Sequence, residues 1–305
     1  MAQKQNTAIK ASDLSGAMVA LVTPMHEQGD IDLDAYKRLL NWHVHIKTPA
    51  VIIAGTTGES ALLTAEETQA LWTIAGQCCA GSDTRLVAGT GAIAPQKVMT
   101  HNRRAADCGA QLALVVTPYY LRLTQQALKD HYWAIADDSP IPILLYNVPT
   151  RTGNDLATKT TQALAEHPNI IGIKEAKADM ERIAQLARIN DFAVLSGDDD
   201  SFCRAMQQGA DGVISVAANV RPKALQQICH ALALGDVNGA EKLNQSLRPL
   251  YQLLSHEPNP GPIKAVMHAA KMLSSGIRPP LQLMSLSRTQ QKQFTQAIEQ
   301  EFTQP

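Results

Sequence analysis

The sequence lacks the features of several specialised classes of protein. Its 305 residues include 27 Lys and Arg against 28 Asp and Glu, so a formal net charge of -1 provides no bulk field to attract nucleic acid or an anionic membrane. No apolar run approaches the roughly 20 residues that a transmembrane helix requires. Residues 1–16 are polar and contain no apolar stretch of the kind found in secretory signals. We therefore expect neither nucleic acid nor a membrane as the main partner.

The cysteines and acidic residues show no arrangement typical of a metal site. The five cysteines are odd in number and lack metal-ligand spacing: Cys78, Cys79, Cys108, Cys203 and Cys229. We expect reduced, mostly buried thiols in a cytoplasmic protein. The three consecutive aspartates at 198–200 cannot all face one ion from a regular element. We interpret them as a strand end followed by a helix N-terminus, where the helix dipole favours Asp.

Short apolar runs recur along the chain and are separated by amphipathic stretches. The runs are nearly continuous rather than alternating, as expected for parallel strands buried on both faces. Eight strands are predicted, at residues 17–23, 50–54, 86–89, 112–117, 143–147, 170–174, 193–196 and 212–216. Helices are predicted between them at residues 33–46, 65–77, 124–136, 157–165, 179–189 and 199–208. Asp30 and Asp32 can cap the first helix, and Thr64 with Glu67 can form a capping box at the second.

This strand and helix order predicts an α/β fold, a (β/α)8 TIM barrel. A doubly wound sheet is the alternative, but it usually has fewer strands, and no GxGxxG pattern follows the first strand. After about residue 235 the strand pattern stops, and three helices are predicted at 240–254, 262–274 and 288–302. We therefore expect a barrel catalytic domain over residues 1–235 and a C-terminal helical region, a three-helix appendage packed on the barrel, over residues 236–305.

Lys174 is the candidate nucleophile. Active sites of such barrels lie at the C-terminal ends of the strands, and Lys174 ends the apolar run at 170–173. Burial disfavours the charged form of an amine, and a neutral amine can attack a ketone to form a Schiff base. The alternative is a lysine that reaches solvent or pairs with Glu175. Its place at a strand end, with tyrosines at the ends of other strands, favours the catalytic interpretation.

Two further strand ends carry polar candidates. Tyr146 ends the preceding strand and can exchange protons with an imine at Lys174, although a core tyrosine is the alternative. The loop at 55–60 can hold a carboxylate on its backbone N–H groups, although it also fits an ordinary tight turn. Arg151 can bind a second carboxylate, or it can pair with Asp155 at the surface.

Six segments in chain order resemble the dihydrodipicolinate synthase family. They are GTTGES at 55–60, YNVPTRTG at 146–153, GIKEA at 172–176, SGDD at 196–199, GVISVAANV at 212–220 and EPNPGPIK at 257–264. The family belongs to the pyruvate-dependent lyases, which include N-acetylneuraminate lyase. The resemblance covers nearly the whole chain.

The resemblance implies roles for individual residues. Lys174 would form the imine with pyruvate, and four residues would be catalytic in all: Lys174, Tyr146, Thr56 and Tyr120. The last three would relay protons, with Tyr120 reaching into the active site of the neighbouring subunit. The implied substrate-binding residues are Thr57 for the pyruvate carboxylate, Arg151 for the carboxylate of aspartate-semialdehyde, Ile214 at the pyruvate pocket, and Gly197.

The implied reaction condenses pyruvate with L-aspartate-4-semialdehyde to give 4-hydroxy-tetrahydrodipicolinate, on the route to diaminopimelate and lysine. The resemblance also implies a homotetramer built as a dimer of dimers, and neither a metal nor an organic cofactor. Two alternatives stay open. One is a sister class I aldolase acting on a sugar acid or another 2-keto acid, which would need hydroxyl-binding residues near Arg151. The other is a non-catalytic binding or regulatory barrel.

One departure from the family concerns feedback inhibition. Lysine-inhibited members bind lysine through histidines, an asparagine and a glutamate at the tight-dimer interface. The matching positions here hold Ala65, Thr68, Ile93 and Lys97, although Ser60, Ala61 and Tyr119 remain. A lysine in place of a carboxylate repels the ammonium groups of the ligand. We hypothesise weak or absent inhibition by lysine.

Overall fold

Eight parallel strands close into a barrel in chain order in the computed structural model, which describes residues 9–303. The strands are β1 (Gly16–Ala20), β2 (Ala50–Ile53), β3 (Arg85–Gly89), β4 (Leu112–Val116), β5 (Ile143–Asn147), β6 (Ile170–Glu175), β7 (Ala193–Ser196) and β8 (Gly212–Ser215). Pairing of β1 with β8 closes the ring. The predicted (β/α)8 barrel is confirmed.

The first strand is shorter than its apolar run. The prediction of residues 17–23 is wrong at its end because the chain leaves the strand ladder while staying buried. Leu21 N–H still donates to the Ile52 carbonyl at 3.1 Å. The N–H of Val22 donates instead to the side chain of Asn219 at 3.1 Å, so a side chain replaces the strand partner. Burial alone therefore does not define where this strand ends.

The helices described within residues 9–303 begin where capping chemistry indicates in several cases. They are α1 (Leu33–His45), α2 (Ala65–Cys79), α3 (Pro95–Asp107), α4 (Gln125–Asp138), α5 (Pro149–Thr152), α6 (Thr158–Leu164), α7 (Met180–Leu186), α8 (Phe202–Gln207), α9 (Pro222–Ala233), α10 (Val237–Leu254), α11 (Gly261–Ala269) and α12 (Arg288–Thr303). Asp32 caps α1 by accepting from Ala35 N–H. The predicted capping box of Thr64 and Glu67 is confirmed at α2.

Two long helices, α3 and α9, were absent from the prediction. Both begin at a proline, and in neither does the N-cap residue provide a capping side chain. The buried positions of α3 include Asn102, so its apolar face is short of hydrophobic residues. A search for polar caps followed by an apolar face therefore overlooks both helices.

Several predicted helices differ from the structure by three residues or more at one end, and two of them show a clear cause. The helix predicted at 199–208 begins only at Phe202, because the Asp199 side chain accepts from the N–H groups of Val216 and Ala217, just after the neighbouring strand β8. The helix predicted at 262–274 ends at Ala269, where Lys271 adopts a positive φ of 56°. In both cases a local conformation replaces a regular helical turn.

The apolar core has an inner and an outer part. Inside the barrel, one cluster includes Met18, Ile52 and Leu144 from the strands. Outside it, a second cluster joins strands and barrel helices to residues of the C-terminal helices, including Leu250 of α10 and Met267 of α11. The C-terminal helices thus pack on the barrel, while the division of the chain at residue 235 stays a prediction.

The structure also bears on the cysteines. All five are free thiols, and Cys79, Cys203 and Cys229 are buried, as predicted. Burial raises the pKa of Cys79 and of Cys229 to about 12. Within residues 9–303, no cluster of three His, Cys, Asp or Glu side chains could hold a metal ion. Over the same residues, none of the helices has both the length and the apolarity needed to cross a membrane.

Candidate active site

Lys174 and Tyr146 form the centre of the site at the C-terminal ends of neighbouring strands. They are direct partners in the register of β5 and β6. The Lys174 side chain is buried, at 6% exposure, and its Nζ lies 4.3 Å from the centroid of the Tyr146 ring. Tyr146 itself belongs to the apolar cluster inside the barrel. The structure therefore brings together the two residues that the sequence analysis placed on adjacent strands.

Gly197 leaves the space that the Lys174 side chain occupies. A Cβ atom added at Gly197 would lie 2.9 Å from Lys174 Cε and 2.9 Å from Ala176 Cβ, which is closer than carbon atoms pack. Ile214 lies in the same interior cluster as Tyr146 and is almost fully buried. Gly197 thus touches the candidate nucleophile, and Ile214 contributes to the apolar interior.

The loop that follows β2 presents Thr56 and Thr57, and we call residues 55–60 the β2 loop. Its backbone closes on itself, since Gly58 N–H donates to the Gly55 carbonyl and Glu59 N–H to the Thr56 carbonyl, each at 3.1 Å. Thr57 is buried, while Thr56 is half-buried and lines a cavity. The loop is therefore a compact turn beside open space.

Asn259, for which the sequence predicts no role, connects the β2 loop to Arg151. Its side-chain amide donates to Thr57 Oγ1 at 2.9 Å, and its backbone carbonyl accepts from the Arg151 guanidinium at 3.3 Å. Its own Oδ1 is buried without a hydrogen-bond partner in the described structure. The EPNPGPIK resemblance was the one sequence signal at this position.

A cavity of about 420 Å³ opens between these elements. Its lining includes Thr56, Tyr119, Arg151 and Asn259. Lys174 and Tyr146 are buried and do not line it. The cavity therefore unites Thr56 with Arg151, while the contact between Lys174 and Tyr146 forms a separate, more enclosed part of the site.

Tyr120 is the most exposed of the predicted catalytic residues. Its side chain is 90% exposed, and the residue has a positive φ of 73°, which is uncommon for a bulky residue. The adjacent backbone is held by Asn154, whose amide donates to the carbonyls of Pro118 and Leu121. Neighbouring Tyr119 and Leu121 are also exposed, at 38% and 46%. Tyr120 thus lies on a loop whose backbone is fixed by Asn154 and whose neighbouring side chains are exposed.

Polar residues on the outer face of β5 and β6 form a hydrogen-bonded group next to Lys174 and Tyr146. Successive residues of a strand point to opposite faces, so Asn147 and Glu175, partners in the same register, face away from the interior. The Asn147 amide donates to both Glu175 oxygens, at 3.0 and 3.1 Å, and Arg182 Nε lies 2.5 Å from Glu175 Oε2. Burial raises the pKa of Glu175, although the Arg182 charge opposes this shift.

These contacts decide against two of the alternative pairings. Glu175 pairs with Arg182 and not with Lys174. Asp155 pairs with Lys177 at 2.9 Å rather than with Arg151. Burial alone would raise the pKa of Asp155, but hydrogen bonds from Asn147 and Lys177 and the nearby Arg182 charge outweigh it and lower the pKa.

Asp199 joins the seventh and eighth strands. Its Oδ2 accepts from Val216 N–H at 3.0 Å and from Ala217 N–H at 2.8 Å, whereas its buried Oδ1 has no partner in the described structure. Burial raises the pKa of this carboxyl. Asp199 therefore fixes the end of β8 and, through it, the strand that carries Ile214.

Comparison with known proteins gives one consistent result. The sequence profile of the Dihydrodipicolinate synthetase family matches residues 13–301. The 4-hydroxy-tetrahydrodipicolinate synthase of Xanthomonas campestris pv. campestris is 43% identical over 270 residues, which cover 88% of this chain and 89% of that protein.

Solved structures agree with the sequence comparison. The chloride-inhibited dihydrodipicolinate synthase from Acinetobacter baumannii, complexed with pyruvate, superposes with a TM-score of 0.88 at 38% identity, covering 94% of this chain and 98% of that one. The dihydrodipicolinate synthase from Cyanidioschyzon merolae, with lysine bound, has a TM-score of 0.88 at 32% identity and covers 95% and 98% of the two chains.

Proposed function

Because the chain belongs to the dihydrodipicolinate synthetase family, we propose that it condenses pyruvate with L-aspartate-4-semialdehyde to give 4-hydroxy-tetrahydrodipicolinate. The protein is then a lyase of lysine and diaminopimelate biosynthesis. Lys174 is the nucleophile. Tyr146, Thr56 and Tyr120 carry protons, and Thr57, Arg151, Gly197 and Ile214 form the substrate-binding set.

The first half of the reaction activates pyruvate. The neutral Lys174 amine adds to the C2 carbonyl, and loss of the carbonyl oxygen as water leaves a protonated imine. The imine nitrogen withdraws electrons, so a proton can leave the C3 methyl group and an enamine forms. The enclosed position of Lys174 beside Tyr146 supports proton transfer by the phenol at this stage.

The second half forms the new carbon–carbon bond and releases the enzyme. C3 of the enamine attacks the aldehyde carbon, whose oxygen takes up a proton and becomes the hydroxyl group. The amine of the semialdehyde then attacks C2, which closes the ring and expels the Lys174 amine. Arg151 lies beside the cavity, where a guanidinium can bind the semialdehyde carboxylate through two hydrogen bonds.

One observation carries the proposal, and it is a contrast between two lysines. Lys174 and Lys264 are the lysines buried within residues 9–303. Lys264 Nζ lies 2.5 Å from Glu59 Oε1 and forms an ion pair with that carboxylate. Across the same residues, Lys174 has no ion-pair partner and faces an aromatic ring. Because no carboxylate of the described residues engages the Lys174 amine, it can approach the carbonyl carbon of a bound keto acid.

Borohydride trapping tests the nucleophile directly. Incubation with pyruvate and borohydride should reduce the imine and attach pyruvate to Lys174. Lys264 is the internal control, because it is buried to a similar degree but paired with Glu59. Peptide mapping that finds the adduct on Lys264, or on any lysine other than Lys174, would disprove the assignment.

Acceptor specificity separates the leading function from a sister aldolase. A coupled assay should show turnover with aspartate-4-semialdehyde and far less with sugar aldehydes, because Arg151 offers a carboxylate partner. Preferred turnover of a sugar acid would support the sister aldolase instead. A wild-type protein that forms no pyruvate adduct would support a non-catalytic barrel.

The role of Tyr120 requires a second copy of the chain. Tyr119, Tyr120 and Leu121 are exposed together, and such apolar surface is typical of an interface. We assign this surface to contact with a neighbouring subunit in a homotetramer, where Tyr120 would enter the partner's active site.

Mixing two inactive variants tests this arrangement. A dimer of Tyr120→Phe with Lys174→Ala should regain activity, because one site then has an intact Lys174 and receives an intact Tyr120 from the other chain. Each variant alone should stay inactive and folded. If the mixed dimer stays inactive, Tyr120 serves its own subunit or none.

Two further properties complete the proposal. Five free cysteines fit a reducing compartment, which supports a cytoplasmic location.

We also expect weak or no inhibition by lysine. Ser60, Ala61 and Thr68 line the cavity, whereas the cationic Lys97 lies exposed on α3. A titration of activity with lysine checks this, and strong inhibition at millimolar concentrations or below would contradict it.

A further inference from the structure

The β2 loop contains a residue in an unusual backbone conformation. Glu59 has a φ of 60° and a ψ of 32°, in the left-handed region that non-glycine residues seldom occupy. Its side chain is nonetheless fully buried. A buried carboxylate on a strained residue persists only where the surroundings hold it. The contacts of Glu59 therefore show what fixes the loop.

The principal partner of Glu59 is Lys264, in α11 of the C-terminal region. Lys264 Nζ lies 2.5 Å from Glu59 Oε1, and both side chains have 0% exposure. The second carboxylate oxygen accepts from Arg278 N–H at 3.1 Å. Burial lowers the pKa of Lys264, while the Glu59 charge opposes this shift. Both charged groups are shielded from solvent, so the ionised form of each is stabilised mainly by the opposite charge of its partner.

The same part of the chain holds the loop at a second point. Asn259, just before α11, donates to Thr57 Oγ1 at 2.9 Å. Arg278 also fixes the neighbouring elements, with contacts of 2.7 and 2.5 Å to the Glu67 carboxylate and a hydrogen bond to the Gly29 carbonyl. The C-terminal segment at 257–278 thus contacts the β2 loop on both sides of Gly58.

These contacts extend to the cavity of about 420 Å³ described above. Thr56 and Glu59 both line it, and the hydrogen bond from Glu59 N–H to the Thr56 carbonyl ties one to the other at 3.1 Å. A shift of Glu59 would therefore move the backbone that carries Thr56 and Thr57. Small misplacements of positioning groups can have large effects on rate.

We propose that the buried Glu59–Lys264 ion pair, together with Asn259, is a positioning device through which the C-terminal segment holds Thr56, which lines the cavity, and the adjoining Thr57. This inference rests on the proposed function, in which Thr57 binds the pyruvate carboxylate and Thr56 relays protons. Lys264 and Glu59 are positioning residues and do not take part in bond formation.

The decisive variant removes both charges at once. Lys264→Met alone would leave the Glu59 carboxylate buried without a cation and would threaten folding. The double variant Glu59→Gln/Lys264→Met keeps two side chains of similar length and leaves no unpaired charge. Asn259→Ala is a milder second variant, since it removes only the bond to Thr57. Arg221→Met is the matched control, because it breaks another link to the C-terminal helices, the 2.9 Å pair between Arg221 and Glu301, away from the loop.

Hydrogen exchange measures the anchoring without any substrate. In the double variant, the amides of Gly58 and Glu59 should exchange at least about tenfold faster than in the wild-type protein. Arg221→Met should leave them unchanged. Unaltered exchange in both the double variant and Asn259→Ala would overturn the proposal.

Kinetics then connect the anchoring to the site. The KM for pyruvate should rise about tenfold in the double variant and less in Asn259→Ala, while saturating pyruvate restores borohydride trapping at Lys174. A purely structural role would lower the amount of folded protein without changing KM. Faster exchange with an unchanged KM and kcat would therefore refute positioning. Failure of the wild-type protein to be trapped would count against the proposed function, and exchange would still decide the anchoring.

Discussion

Replacing Gly197 with alanine should disable Lys174 while leaving the barrel folded. The new Cβ would lie 2.9 Å from Lys174 Cε and from Ala176 Cβ. Carbon atoms pack best at about 3.5–4.0 Å, so the lysine must move by roughly 0.6–1.1 Å. Because Lys174 is buried against Tyr146, this movement changes the direction from which its amine approaches pyruvate.

The magnitude follows from this displacement. A misplacement of about 1 Å can lower a rate by about 100-fold. We therefore expect kcat/KM for pyruvate and the rate of borohydride trapping at Lys174 to fall by about that factor. The cost in stability should be that of overpacking one methyl group, about 1–3 kcal/mol. The assay is steady-state turnover, with trapping and urea unfolding measured on the same preparations.

Gly209→Ala is the matched control. Its Cβ would also meet a carbon atom at 2.9 Å, Ala187 Cβ, and its φ of 99° adds backbone strain. It should therefore destabilise the protein at least as much as Gly197→Ala, yet leave trapping and turnover of the folded fraction near wild type. If Gly197→Ala retains wild-type trapping, the lysine has room to yield and the steric argument is wrong.

Three more outcomes are expected. Tyr146→Phe keeps the ring beside Lys174 but loses the hydroxyl, so kcat should fall by about 100-fold or more with little change in thermal stability, and an unchanged kcat would exclude proton transfer by Tyr146. Arg151→Lys keeps the charge but loses the planar fork, so the KM for the semialdehyde should rise about tenfold while pyruvate trapping stays normal. Burial lowers the pKa of His43 to about 3, so the unfolded state binds one more proton as the pH falls from about 6.5 to about 3, and stability declines over that range. Urea unfolding of His43→Gln should show a shallower decline, by up to about 1.4 kcal/mol per pH unit.

The barrel could be predicted because its signal is local and repeated. Buried parallel strands appear as short apolar runs, and the order of eight such runs leaves few topologies. Helix starts were predicted where a side chain caps the first turn, as Thr64 does for α2. At Pro95 and Pro222 the N-cap residue provides no capping side chain, and neither helix was predicted.

Part of the candidate site was predictable for a related reason. In a parallel barrel the strand ends lie at one edge, so Lys174, Tyr146 and Gly197 could be placed together from their positions at successive strand ends. Their direct contacts in the structure agree with that expectation. Tyr120 shows the limit of this reasoning, because its role depends on a surface that a single chain leaves exposed.

The supporting contacts could not be predicted, because their partners are distant in sequence. Asn259 lies 202 residues from Thr57, and Lys264 lies 205 residues from Glu59. Arg182 is only seven residues from Glu175, but nothing in the sequence indicates that a charged residue of α7 turns inward. Such pairings follow from how the helices pack on the barrel, and this packing is a property of the whole fold.

The two buried lysines show how the surroundings of a residue decide its chemistry. Both are amines removed from water. The Glu59 carboxylate lies 2.5 Å from Lys264 Nζ and stabilises the positive charge of this lysine. Lys174 has instead the face of Tyr146 on one side and the open position of Gly197 on the other. Lys264 therefore anchors the β2 loop through its ion pair with Glu59, whereas Lys174 has no such partner among the described residues and can react. The position of the carboxylate, and not burial of the lysine, distinguishes the two roles.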